Sequence, residues 1–136
     1  EIGKGKSTLD EVVADVAEQE GRTVRPDPEP EKGSYYRSDH FSFAKVGIPA
    51  FDPDPGIDFV GKPAGWGIAR RQEYTANDYH KPSDVIKPDW DLSGEAQDCQ
   101  LYFLVGLRVA DAPKMPEWKP DAEFKAIREA SLKSGK

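Results

Sequence analysis

The chain has two histidines, and each stands beside carboxylates. "RSDHFSF" puts Asp39 directly before His40, and "NDYHKPSD" surrounds His80 with Asp78, Tyr79 and Asp84. Neutral imidazole is the commonest metal ligand. A carboxylate that accepts the hydrogen bond of the second ring nitrogen fixes the tautomer and raises basicity, and Asp84 or Asp78 could do this for His80. Taken alone, the stretch reads equally as a solvated polar loop. For Asp39 and His40 the local reading is a helix cap followed by a hydrogen-bonded polar side chain. "GKGKST" at 3–8 carries the Gly-Lys-Ser end of a phosphate-binding loop, but the leading glycine five residues before Gly5 is missing, and a glycine turn followed by a capped helix explains every residue.

The elements that must position these residues belong to one modest domain, since 136 residues can bury a single core but hardly two. Hydrophobic residues at 37% and charged residues at 32% fit a globular domain. The net charge of -6 is spread in mixed-sign segments with no basic stripe, which argues against a nucleic-acid partner. The longest apolar run, "LYFLVGL" at 101–107, is far too short to span a bilayer. The single Cys99 cannot form an internal disulfide and reads as a small buried hydrophobe. The chain opens on Glu1 without an initiator methionine or a secretory leader, compatible with a processed product or part of a longer gene.

"STLDEVVADVAEQEGR" predicts an amphipathic helix with Ser7 as N-cap, Leu9, Val12, Val13, Val16 and Ala17 on one face, and Gly21 as terminator. A short strand is expected at "RTV" (22–24), and the prolines of 26–30 then enforce a surface connection. "SDHFSFAKVG" predicts a short helix closed by Gly47, and "IPAF" (48–51) a brief buried strand. Residues 52–87, rich in glycine and proline, read as a long irregular excursion ordered by Phe59, Trp66, Tyr74 and Tyr79. A core helix is expected from about 89 to 111, with Leu92, Ala96, Cys99, Phe103, Leu107 and Ala110 as its apolar stripe. A last surface helix is expected over roughly 121–133, carrying Phe124 and Ile127. Residues 1–112 thus form the main body and 113–136 a tail.

Taken in order, "YRSDHFSFAKVGIPAF", the long loop, "NDYHKPSDVI" and the amphipathic helix resemble the C-terminal half of the catalytic domain of the co-catalytic zinc aminopeptidases, a family that also contains glutamate carboxypeptidases, the transferrin receptor ectodomain and, more distantly, glutaminyl cyclases. The similarity runs from about residue 2 to about residue 110, and bacterial exported peptidases of the family share the "PEWKP" type of tail. The resemblance implies an α/β fold, a fragment of a three-layer α/β/α exopeptidase with a mostly parallel mixed sheet, and two zinc ions in the complete enzyme. It implies that His80 binds one zinc and that Tyr79 donates a hydrogen bond to the tetrahedral oxyanion. Asp84 would orient His80 from behind, Asp39 would stand at the rim orienting substrate, and Phe59, Trp66 and Tyr74 would line the pocket. It also implies a peptide substrate and export of the complete protein to a periplasmic or extracellular site.

The sequence departs from the family pattern in lacking the "HxD" pair, the Glu-Glu pair and the further strand aspartate that complete the metal site. One imidazole cannot make a zinc site, which needs at least three protein ligands. The chain is therefore expected to be the C-terminal part of a metallopeptidase, inactive alone and without tightly held zinc. A non-catalytic interaction or dimerisation module, or glutaminyl cyclase chemistry, are the alternatives. Half a sheet would leave an open edge and an uncovered apolar face, so self-association is expected.

Overall fold

The structure is a computed structural model and describes residues 1–134. Five α-helices occur among them: α1 (Leu9–Gln19), α2 (His40–Ala44), α3 (Trp66–Asn77), α4 (Ser93–Asp111) and α5 (Lys125–Ser134), with two single 3₁₀ turns, Pro30–Lys32 and Ser34–Tyr36, between α1 and α2. The described residues contain no regular strand; two isolated antiparallel bridges join Ile2 to Asp52 and Ser7 to Trp118. The chain divides into two units. The first comprises Glu1–Asp54 and the segment from Gln97 onward, the second Pro55–Ala96.

In the first unit α1 forms as its pattern predicts. The Ser7 hydroxyl accepts from the Leu9 N–H at 3.2 Å, and acidic Asp10 and Glu11 occupy the first turn, where they complement the positive end of the helix dipole. Gly21 at φ +70 ends it. The Gly21 N–H donates to the Glu18 carbonyl and the Arg22 N–H to the Ala17 carbonyl, at 2.9 and 2.8 Å, so two of the last carbonyls are satisfied by a left-handed glycine turn. Val13, Val16 and Ala17 of α1 then bury against Leu101 and Val105 of α4, with Val24, Phe51, Leu104 and Val109 at the margin. Each fully buried valine or leucine contributes roughly 1.5–3 kcal/mol relative to leaving it in water.

A second core cluster gathers Ile2, Tyr35, Ala44, Trp118 and Phe124. The tail read from sequence over 113–136 thus contributes Trp118 and Phe124 to the core, and the Trp118 indole N–H donates to the Gly47 carbonyl at 2.8 Å. Gly47 closes α2 at φ +87, and a Cβ there would stand 2.6 Å from the Arg128 nitrogen. Only glycine meets both the backbone conformation and that close approach. α5 carries no buried residue, which makes it a surface helix as expected.

Three sequence expectations are corrected. The strands at 22–24 and 48–51 do not form among the described residues. The Arg22 N–H is taken by the end of α1, and Pro49 has no N–H to offer, so the 48–51 segment runs on to a single bridge at Asp52. An extended segment needs neighbouring strands to become a sheet, and this chain supplies none among the described residues.

The second correction concerns α4, whose buried face is not the expected stripe. Leu101 and Val105 are buried, whereas Phe103 is 67% and Leu107 46% exposed and Cys99 is exposed as well. At about 100° per residue, the Leu92, Ala96, Cys99, Phe103, Leu107 row lies on the opposite side from Leu101 and Val105. α4 is apolar on two faces, and a helix of that kind is suited to the interior of a larger core.

The third is α3, within a stretch expected to be irregular. Its only buried residue is Gly67, so no apolar period announces it.

Candidate functional site

Six of the seven candidate residues fall in the second unit, where α3 organises them. At its start, Gly67 lies so close to the loop before the helix that a Cβ would meet the Ile57 carbonyl oxygen at 2.2 Å and the Phe59 ring at 2.8 Å. This approach sets the Phe59 ring edge-on to Trp66, centroids 5.0 Å apart. Lys62 and Arg70 place their cations 5.1 and 5.9 Å from the Trp66 ring, within cation–π range.

At its end, the Asp78 and Tyr79 N–H groups both donate to the Tyr74 carbonyl, at 2.8 and 3.0 Å. The chain then turns through His80 at φ +58, the one non-glycine among the described residues with positive φ. Histidine tolerates this left-handed conformation better than most side chains, yet holding it costs roughly 1–2 kcal/mol. The Lys81 N–H donates to the Asp78 carbonyl at 2.9 Å and the Asp84 N–H to the Lys81 carbonyl at 3.0 Å, which fixes the turn on both sides of the histidine. Lys81 Nζ also donates to the Ala76 carbonyl.

This turn brings Tyr74, Tyr79, His80 and Asp84 together. The His80 ring stacks on Tyr79, centroids 3.9 Å apart and 23° between planes, and Tyr79 meets Tyr74 edge-on at 5.9 Å. The Tyr74 hydroxyl donates to Asp84 Oδ2 at 2.8 Å, and this bond, more than any other cause, raises the Tyr74 pKa above its ordinary value. Asp84 is thereby engaged by Tyr74. Asp78 is engaged by Lys87, Nζ to Oδ2 3.4 Å, and stands near Ser83, whose hydroxyl donates to the Asn77 carbonyl at 3.1 Å. Ser83 first, and Lys87 after it, hold the Asp78 carboxyl below its usual range. His80 and the Tyr79 hydroxyl have no hydrogen-bond partner among the described residues, and both side chains are exposed. Tyr74, Asp78, Asp84, Lys87 and Trp90 line a polar cleft of about 440 Å³. Lys87 and Trp90 were not singled out by sequence; the signal available was their position just after the "YHKPSD" turn.

Asp39 belongs to the first unit, at the N-cap position of α2, where its side chain makes no capping hydrogen bond. His40, read from sequence as a satisfied polar side chain, is instead sunk against Tyr35 with ring centroids 4.6 Å apart. Both its ring nitrogens are buried without a partner, and Asp52 stands 3.9 Å from Nδ1. Burial lowers the His40 pKa, and Asp52 opposes that shift.

The profile of Peptidase family M28 matches residues 1–104. The match covers most of the chain and all seven candidate residues, and the chain belongs to this family of co-catalytic zinc aminopeptidases. No curated protein and no solved structure matches significantly. The family's enzymes use zinc. Among the described residues, however, no three His, Cys, Asp or Glu side chains gather where a metal ion could sit. The donors present therefore do not fit a zinc ion by themselves, since a catalytic site takes three protein ligands. No helix of the described residues is long and apolar enough to cross a membrane.

Proposed function

We propose that the chain is the C-terminal part of the catalytic domain of a zinc-dependent, aminopeptidase-like exopeptidase acting on peptides. In this reading His80 contributes one imidazole to a metal site completed by residues outside this chain. The Tyr79 hydroxyl donates to the oxyanion that develops as the scissile carbonyl becomes tetrahedral, Asp84 and Asp39 orient their neighbours, and Phe59, Trp66 and Tyr74 form part of the substrate wall. In the complete domain the 48–51 segment would be a strand of the mostly parallel mixed sheet, between two helical layers.

The observation that carries this reading is the M28 match over residues 1–104, with Tyr79 and His80 inside it on an exposed turn held in the left-handed region. Non-glycine residues in such conformations cluster at functional sites. A free phenol beside a free imidazole supplies a hydrogen-bond donor and a metal-binding nitrogen from consecutive residues. The second apolar face of α4 also supports a larger parent core. Reading the DNA upstream tests the proposal: an in-frame "HxD" and paired glutamates support it, and a start codon at the position of Glu1 overturns it in favour of a non-catalytic module.

The exposed Phe103 and Leu107 on α4 favour association of this chain with itself when no other part covers them. Sedimentation at rising concentration is expected to show a monomer–dimer equilibrium, shifted towards monomer by Phe103→Ser. A strict monomer at high concentration would contradict it.

A further inference from the structure

We infer that His40 is an acid-operated pin: as a neutral ring it holds the start of α2 and the Asp52 segment against Tyr35, and on gaining a proton it leaves that seat and loosens both. The ring belongs to the first residue of α2, and its side chain is 10% exposed. Its edge-on contact with Tyr35, centroids 4.6 Å apart and 71° between planes, ties α2 to a residue of the buried core. Both ring nitrogens are buried with no hydrogen-bond partner among the described residues, a rare condition because each forfeits its bonds to water. Asp52 Oδ2 stands 3.9 Å from Nδ1, too far for a hydrogen bond and close enough for its charge to be felt.

That geometry sets the direction of the response. A neutral imidazole carries one N–H donor, whereas the imidazolium carries two and a full charge. In this seat the charged ring would bury both donors and find a carboxylate beside only one of them. That carboxylate is 29% exposed, so solvent screens part of its attraction, and a buried charge without full pairing is far costlier than a buried neutral group. Burial therefore outweighs Asp52 and lowers the His40 pKa from its ordinary 6.5. The other groups around the ring do not reverse this. Burial, then Tyr36 and Glu123, push the Tyr35 phenol up to about 12, so it is neutral throughout. Glu123 accepts from the Tyr36 hydroxyl at 2.9 Å, the exposed Asp39 side chain is surrounded by solvent, and Lys6, 5.0 Å from the Tyr35 ring centroid, opposes a second cation nearby.

The backbone names what the pin secures. In α2 the Ser42 N–H donates to the Asp39 carbonyl at 3.0 Å and the Lys45 N–H to the Phe41 carbonyl at 2.9 Å, and beside it the Asp52 N–H donates to the Ile2 carbonyl at 3.1 Å. Tyr35, His40 and Asp52 all lie in the first unit, so the device needs neither a chain terminus nor the proposed metal site. Because the folded-state pKa of His40 lies below its unfolded value, the opened form binds more protons in between. The stability the pin contributes is fully present above about pH 6.5 and is lost as pH falls through the lowered value. The loss is at most about tenfold in the opening equilibrium per pH unit across that window.

Imidazole NMR titration of the chain, with amide hydrogen exchange at Ser42, Lys45 and Asp52 corrected for intrinsic exchange, tests this directly. The His40 ring is expected to titrate below 6.5, with protection at the three amides falling over the same pH range. His40→Phe, which keeps an aromatic ring against Tyr35 but gains no proton, is expected to hold its protection through that range. Asp52→Asn removes the carboxylate beside the ring, so it is expected to lower the His40 pKa further and to carry the loss of protection to more acid pH; this second variant decides the matter if the phenylalanine does not fit the seat. A His40 ring that titrates at or above 6.5, or that titrates without any change in protection, overturns the inference. So does an acid loss in His40→Phe equal to that of the wild type, or a His40 pKa that Asp52→Asn leaves where it was.

Discussion

Replacing His80 by alanine in the complete peptidase is expected to abolish metal-dependent hydrolysis, with loss of bound zinc measured by metal analysis. An imidazole that is one of three or so ligands cannot be replaced by water without loosening the ion. The position adds a second effect, since residue 80 sits at φ +58 and alanine accepts the left-handed region poorly. His80→Asn separates the two, because asparagine tolerates that backbone but lacks the imidazole. Loss of zinc in both variants, with the asparagine variant as stable as the wild type, is the expected result. Full zinc retention in His80→Asn would remove His80 from the ligand set.

Tyr79→Phe is expected to leave zinc bound and to lower kcat by about 10²- to 10³-fold, the cost of losing one donor to a developing oxyanion. KM should change little, because a donor aimed at the tetrahedral state contributes little to ground-state binding. The hydroxyl has no partner among the described residues and its ring is half exposed, so removing it disturbs no internal hydrogen bond and little packing. Unchanged kcat, or equal loss of zinc in the tyrosine and histidine variants, would contradict the separate roles.

How much of this was legible in the sequence depended on whether an element carries its own signals. α1 does: a Ser7 start, acidic residues in the first turn, an apolar row and Gly21 at the end specify it locally. α4 was legible as a helix but not in its facing. Leu101 and Val105 and the Phe103, Leu107 row are both apolar, and periodicity cannot choose between two apolar faces. α3 was missed because "WGIARRQEYTAN" buries only Gly67; its signal was the short helix-favouring run "ARRQE" at 69–73, with an Arg70–Glu73 pair at 2.6 Å. The strand at 48–51 was read from its composition, but a strand depends on partners that sequence pattern cannot guarantee.

At the site, Tyr79 and His80 were legible as a motif through the family resemblance. The left-handed turn was not, since it arises where α3 ends on the Tyr74 carbonyl. Nor was the partner of Asp84, because a carboxylate four residues after a histidine is equally within reach of a tyrosine on the preceding helix. The burial of His40 escaped notice for a similar reason: Tyr35, which covers it, is placed by contacts with Ile2, Trp118 and Phe124, distant in sequence.

The central claim is that this chain holds one part of a peptidase site whose remaining ligands lie outside it. Calorimetric titration of the metal-free chain with zinc, paired with an aminoacyl anilide assay before and after the upstream half of the domain is supplied in trans, tests it most directly. The expected result is weak, non-stoichiometric zinc binding and no turnover by the chain alone, with hydrolysis appearing only when the upstream half is added. Submicromolar one-to-one zinc binding accompanied by turnover in the chain alone would contradict it.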